Sequence, residues 1–161
     1  MNTESIRLLL ADDDKDDCLF FKEALDELTL PARLTTVHDG EQLMHLIASE
    51  TEQLPHVLFL DLNIPRKNGF ECLAEIKRNE KLKELFVIMY TTSSEQSIVN
   101  MLYKGGAHYY IRKPAEFSQL KKVIQQAFTT IKESLFGGEA GNFEQPLKDK
   151  FVLAGDLPAT L

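Results

Sequence analysis

The chain has 161 residues, enough for one domain and a short tail, and its 43% hydrophobic and 27% charged residues exclude a wholly disordered, collagen-like or membrane-embedded chain. With 18 Lys plus Arg against 25 Asp plus Glu, the net charge of -7 disfavours non-specific attraction to a nucleic-acid backbone or an anionic bilayer. Cys18 and Cys72 lie far apart without a second pair, so neither a disulfide framework nor a thiolate zinc site is expected, and both read as small buried hydrophobes in a reducing compartment.

Ile6 to Ala11 is an apolar run broken only by Arg7 and stopped by Asp12, Asp13 and Asp14, which predicts a strand buried on both faces. Cys18, Phe21, Leu25 and Leu28 then recur at helical spacing, with Asp14 and Asp16 as candidate caps and Pro31 closing the element. Arg33 to Val37 predicts a second strand, and Leu43, Leu46 and Ile47 a second helix behind the turn Asp39-Gly40. A third strand, Val57 to Leu60, ends at Asp61; after the turn Asn63 to Gly69, a third helix carries Phe70, Leu73 and Ile76. Phe86 to Tyr90 predicts a fourth strand ending at Thr91 and Thr92. The fourth helix should turn Ile98, Met101 and Leu102 inward and stop at Gly105-Gly106, where positive φ is cheap. Tyr109 to Ile111 makes a fifth strand, and Leu120, Ile124, Ala127, Ile131 and Leu135 line a long fifth helix.

Strict alternation with short connections forces parallel pairing through right-handed crossovers, hence an α/β three-layer sandwich around a five-stranded sheet. Residues 1–136 are expected to form that domain. Gly137 to Leu161, rich in Gly and Pro, is expected to be an irregular tail, although Phe143, Leu147, Phe151 and Leu153 would suit docking. Met1 to Ser5 show no signal-peptide pattern and no apolar run reaches the about 18 residues that cross a bilayer, so the cytoplasm is the expected location.

Ligands of open parallel sheets bind beyond the carboxyl ends of the strands, where the strand order reverses. Those ends read Asp12, Asp13 and Asp14; Asp61; Thr91 and Thr92; Lys113-Pro114. With a strand order of 2-1-3-4-5, the first and third strands are neighbours and Asp12, Asp13 and Asp61 meet, with Thr91 and Lys113 nearby. Carboxylates so close must either take up protons or hold a cation, and oxygen-only ligands select a hard ion such as Mg2+. Phosphoryl transfer needs positioning and charge neutralisation, which an acidic pair with Mg2+, a lysine and a hydroxyl supply, leaving one carboxylate as acceptor. Taken singly, each residue has a plainer reading: an acidic helix cap, an Asp starting a turn, an exposed lysine, a strand threonine. The histidines His38, His45, His56 and His108 show no ligand spacing and read as surface or packing residues.

The run LLLADDDKDD, the segment VLFLDLNIPRKNGFE, the pair TT after a strand and GAHYYIRKP resemble the receiver domain of bacterial two-component response regulators, over about Ile6 to Phe128. The resemblance implies a single-domain, chemotaxis-receiver-like protein of flavodoxin-like topology. Asp61 matches the phosphoacceptor, Asp12 and Asp13 the acidic pair that binds Mg2+, and Asn63 the position whose backbone carbonyl completes the metal shell. Thr91 matches the switch hydroxyl, Lys113 the lysine of the site and Tyr110 the switch aromatic; a cis peptide bond would precede Pro114. It also implies partners: a sensor histidine kinase or histidine phosphotransfer protein as donor, a downstream protein as target, and dimerisation as one mode of output. No effector domain follows the fifth helix, so direct DNA binding is not expected, nor is turnover of an external substrate. Asp14 departs from the pattern as a third consecutive acid, expected to cap the helix or face solvent, and Thr92 is larger than the Ala or Gly common at that place. A different chemistry remains open: Asp12 and Asp14 also read as the Asp-x-Asp of a haloacid-dehalogenase-type phosphohydrolase. A constitutive scaffold is the third reading.

Overall fold

Hydrophobic runs become strands and amphipathic segments become helices in unbroken alternation in the computed structural model, which describes residues 5–49, 54–136 and 144–153. In chain order these are β1 (Ile6–Ala11), α1 (Lys15–Leu28), β2 (Ala32–Val37), α2 (Gly40–Ser49), β3 (Val57–Leu60), α3 (Gly69–Arg78), β4 (Phe86–Thr91), α4 (Gln96–Lys104), β5 (Tyr109–Arg112) and α5 (Phe117–Phe136). After α5 come a single 3-10 turn (Lys148–Lys150) and β6 (Val152–Leu153).

All strand pairs are parallel and the sheet order is β2-β1-β3-β4-β5-β6. The flavodoxin-like arrangement holds, with one correction: the sheet has six strands, not five. Val152 and Leu153 pair with Tyr110 and Ile111, so part of the segment expected to be an irregular or docking tail lies against the sheet as a further strand. Two residues are too few to show a period, and what holds them is non-local: the Phe151 side chain is fully buried. Residues 137–143 and 154–161 of that segment, Phe143 among them, lie outside the described residues.

β3 and β4 are buried along their whole length, and β1 at every residue but the half-buried Arg7, because helices cover both faces. On one face Leu43, Ile47, Leu73, Ile76 and Leu102 of α2, α3 and α4 pack on Leu9, Leu58, Leu60, Val87 and Met89. On the other, Phe21 and Leu25 of α1 and Leu120, Ile124, Ala127 and Ile131 of α5 pack on Leu8, Leu10, Phe59, Ile88 and Ile111. One inward assignment fails: Met101 is 54% exposed, and Val99 with Leu102 forms the buried stripe of α4. That stripe keeps the three-residue spacing of a helix face with its start at Val99. Cys18 and Cys72 are buried and free, and burial pushes their thiols up to about 11 and about 12.

Candidate functional site

Register brings the acidic residues together. Ala11 pairs with Leu60, so the next residues, Asp12 and Asp61, leave the sheet side by side. Their backbones stay pinned to it: the Asp61 N–H donates to Ala11 O at 3.0 Å, and the Asp12 N–H to Val37 O at 3.0 Å. Thr91 pairs with Arg112, and the Lys113 N–H donates to Thr91 O at 2.8 Å, which sets the lysine at the same end of the sheet. Gly69 at the start of α3 backs onto this end. A Cβ there would lie 2.6 Å from the Asp61 carbonyl oxygen, so only glycine lets the helix approach so closely.

Carboxylate oxygens of Asp12, Asp13 and Asp61 lie within 4.8 Å of one another. Asp12 and Asp61 are buried and Asp13 faces solvent. The Lys113 ammonium stands among them, 2.8 Å from Asp12 Oδ2, 2.9 Å from Asp61 Oδ2 and 2.9 Å from Asp17 Oδ2. It donates hydrogen bonds to Asp17 and Asp61. The Asp12 contact is the shortest of the three ion pairs, although no well-aligned hydrogen bond reaches Asp12 Oδ2 among the described residues. Its other oxygen accepts from the Asp14 N–H at 3.0 Å. Burial pushes the Asp12 carboxyl up to about 6, against the pull of Lys113 and of the Asp14 N–H. Burial also works to lower the Lys113 ammonium, but Asp12, Asp61 and Asp17 outweigh it and hold it above the usual lysine range. The ammonium further lies 5.3 Å from the centre of the Tyr90 ring.

This set fits a hard divalent cation on its own chemistry: three convergent carboxylates, all oxygen donors, one of them presenting a buried oxygen without a hydrogen bond. Thr91 is fully buried, and its hydroxyl likewise has no hydrogen-bond partner among the described residues. A buried hydroxyl left unpartnered costs free energy until something with an acceptor oxygen arrives.

The remaining expected residues fall as follows. Asn63 is exposed, and its N–H donates to Asp61 Oδ1 at 3.2 Å. Tyr110 is 1% exposed; its ring packs beside Phe151 and its hydroxyl donates to Ser93 O. Asp14 is the N-cap of α1, its carboxylate accepting from the Asp16 and Asp17 N–H groups, and it is exposed. That occupation leaves the Asp12/Asp14 hydrolase reading without its acid. Thr92 is exposed. The described residues contain no cis peptide bond, so the bond before Pro114 is trans, contrary to the expectation.

Two neighbours of the site were not singled out by sequence. Asp17 contacts Lys113, and His38 Nδ1 lies 3.1 Å from the Asp12 carbonyl. Asp17 shares the first turn of α1 with Asp16, and nothing in the sequence tells the two apart or marks His38. His108 is a packing residue, as expected, buried and stacked on Phe86.

A family model described as the response regulator receiver domain matches residues 8–125. Response regulator Rcp1 of Synechocystis sp. is 34% identical over 122 residues, covering 73% of this chain and 83% of the relative. A probable chemotaxis protein CheY of Rhizobium etli is 29% identical over 129 residues, covering 80% of this chain and 97% of the relative. Among solved structures, the phosphorylated cyanobacterial phytochrome response regulator RcpA matches with a TM-score of 0.70 and 34% identity, over 84% of this chain and 97% of that one. The Mn(2+)-bound form of response regulator Rcp1 matches with a TM-score of 0.69 and 31% identity, over 81% and 94%.

Proposed function

The chain belongs to the response regulator receiver domain family, and on that premise we propose that it is a phosphorylation-controlled interaction module whose acceptor is Asp61. One observation carries the reading: the Asp61 carboxylate shares a notch with Asp12 and Asp13, faces the Lys113 ammonium at 2.9 Å, and has the unpartnered Thr91 hydroxyl at the same end of the sheet. The Mn(2+)-bound Rcp1 and the phosphorylated RcpA support it as relatives of similar fold.

In this reading Asp12, Asp13 and Asp61, with the Asn63 carbonyl, hold Mg2+, which supplies neutralisation of phosphoryl charge when bound. An Asp61 oxygen attacks the phosphorus of a phosphohistidine on a sensor kinase or phosphotransfer protein. The O–P bond forms as the P–N bond breaks, and the imidazole leaves with the electron pair and takes up a proton. Lys113 holds its positive charge against the incoming oxygens. Thr91 donates its hydroxyl to one of them, gaining the partner it lacks. Tyr110, two residues along β5 from the residue paired with Thr91, is the aromatic through which the change would reach the surface, as a shift between existing conformations. The output is altered binding to a downstream protein or a second copy, in the cytoplasm. Among the described residues no helix is long and apolar enough to cross a membrane.

Incubating the protein with a small phosphodonor and Mg2+ tests the assignment. Acid-labile label should appear on the wild-type chain and be abolished by Asp61→Asn; full labelling of that variant overturns it.

A further inference from the structure

An ammonium carries three N–H donors, and three carboxylates surround this one. They are not equivalent. Asp12 and Asp61 belong to the group whose oxygens converge within 4.8 Å with Asp13, whereas Asp17 does not. Asp17 stands in the first turn of α1, where the Asp14 cap accepts its N–H at 3.1 Å and so fixes the origin of its side chain. From there its carboxylate reaches Lys113 across a separation of 96 residues in sequence. The pair is also sheltered: the side chains of Lys113 and Asp17 are 9% and 33% exposed, against 61% and 68% in the surface pair Lys22–Asp26, so solvent screens it less.

A divalent cation held by Asp12, Asp13 and Asp61 would take up two of the three carboxylates that now face the ammonium and would repel it. Asp17 is then the anion left to hold it. We propose that Asp17 is a positioning residue for Lys113, retaining the ammonium beside Asp61 when the acidic group is loaded. The inference rests on the acceptor reading of Asp61 for its consequence, since an ammonium kept in place is one a phosphoryl oxygen meets without rearrangement. Asp17 itself touches neither the acceptor oxygen nor the transferred group.

Two measurements on the full chain decide it. NMR of the Lys113 ammonium needs no labelling reaction. In the wild-type protein its protons should remain slow to exchange with water when Mg2+ is added, whereas in Asp17→Asn they should be lost to fast exchange on the same addition. The second measurement is the rate of labelling by phosphoramidate at saturating Mg2+. Asp17→Asn should slow it about tenfold, the size of one lost charge-assisted hydrogen bond, and Asp17→Glu should recover most of the rate. With Lys113→Met already in place, Asp17→Asn should change the rate by less than about twofold, because its effect passes through the lysine.

Equal slowing in both backgrounds, or an ammonium still protected in Asp17→Asn with Mg2+, overturns the positioning role. A wild-type chain that takes no label at all overturns the acceptor reading instead, and the ammonium spectrum then judges Asp17 alone.

Discussion

At the notch, three carboxylates crowd one ammonium, and two buried oxygens, Asp12 Oδ2 and Thr91 Oγ1, find no hydrogen bond among the described residues. At the β5–β6 flank the polar groups are matched. The Tyr103 hydroxyl donates to Pro146 O at 2.8 Å, the Gln145 amide to Tyr103 O at 2.7 Å and Ala107 O at 2.6 Å, and Phe151 packs edge-on to Tyr103. The same sheet thus carries one region that leaves two buried oxygens without a hydrogen bond among the described residues and one whose polar groups are paired with one another. Electrostatic cost and packing are separately located, so substitutions should separate them too.

The largest effect should come from the flank. Phe151→Ala removes a fully buried aromatic from between Tyr103 and Tyr110 and should destabilise the fold by about 3–5 kcal/mol in urea unfolding. A cost under about 1 kcal/mol would show that residues 144–153 are not part of the cooperative unit.

The notch should respond with the opposite sign. Asp12→Asn removes a buried charge that the fold disfavours, while Lys113 keeps Asp17 and Asp61, so the metal-free protein should gain on the order of 1–3 kcal/mol near pH 8. The folded carboxyl titrates at about 6, above its ordinary 3.8, so the fold binds this proton more tightly than the unfolded chain. The penalty from ionised Asp12 is therefore complete above about 6 and fades as pH falls towards 4, and the advantage of the variant should fade with it. An advantage independent of pH would mean that charge is not its source.

For the same reason Mg2+ should bind less well in mild acid. Ionised Asp12 is the binding form, and with its carboxyl near 6 the affinity should fall about tenfold between pH 7 and pH 5, as read by calorimetry. Loss beginning only near pH 4 would assign the ordinary carboxylate range to the residue. Smaller again, Tyr103→Phe deletes one hydrogen bond of the flank and should cost about 1 kcal/mol. Lys22→Ala, which breaks an exposed pair on α1, should stay within about 0.5 kcal/mol and serves as the baseline for both regions.

The contrast also explains what could be read without coordinates. The notch was legible because its members sit at or just beyond the places where apolar runs stop, and parallel register carries such stops to one edge: Asp12 after Ala11, Asp61 after Leu60, Lys113 two residues past Ile111. The side-chain network around Lys113 was less so. Asp16 and Asp17 look alike as acids of a helix's first turn, and only the direction of the first turn of α1 selects Asp17. The flank was hardest, because a strand of two residues has no period and its contacts reach back from Pro146 to Tyr103 and from Phe151 to Tyr110. Met101 was misplaced for a related reason: on a helix of nine residues an apolar stripe beginning one position later fits almost equally well.

That short sixth strand changes how the molecule ends sideways. Without it, β5 would offer four residues of open backbone at the rim of the sheet, a template on which another chain could hydrogen-bond. With Val152 and Leu153 in place the rim shrinks to a stub of two residues beside a tight 3-10 turn, too short to seed edge-to-edge growth. The C-terminal segment thereby covers the middle of β5, at Tyr110 and Ile111, with its own backbone.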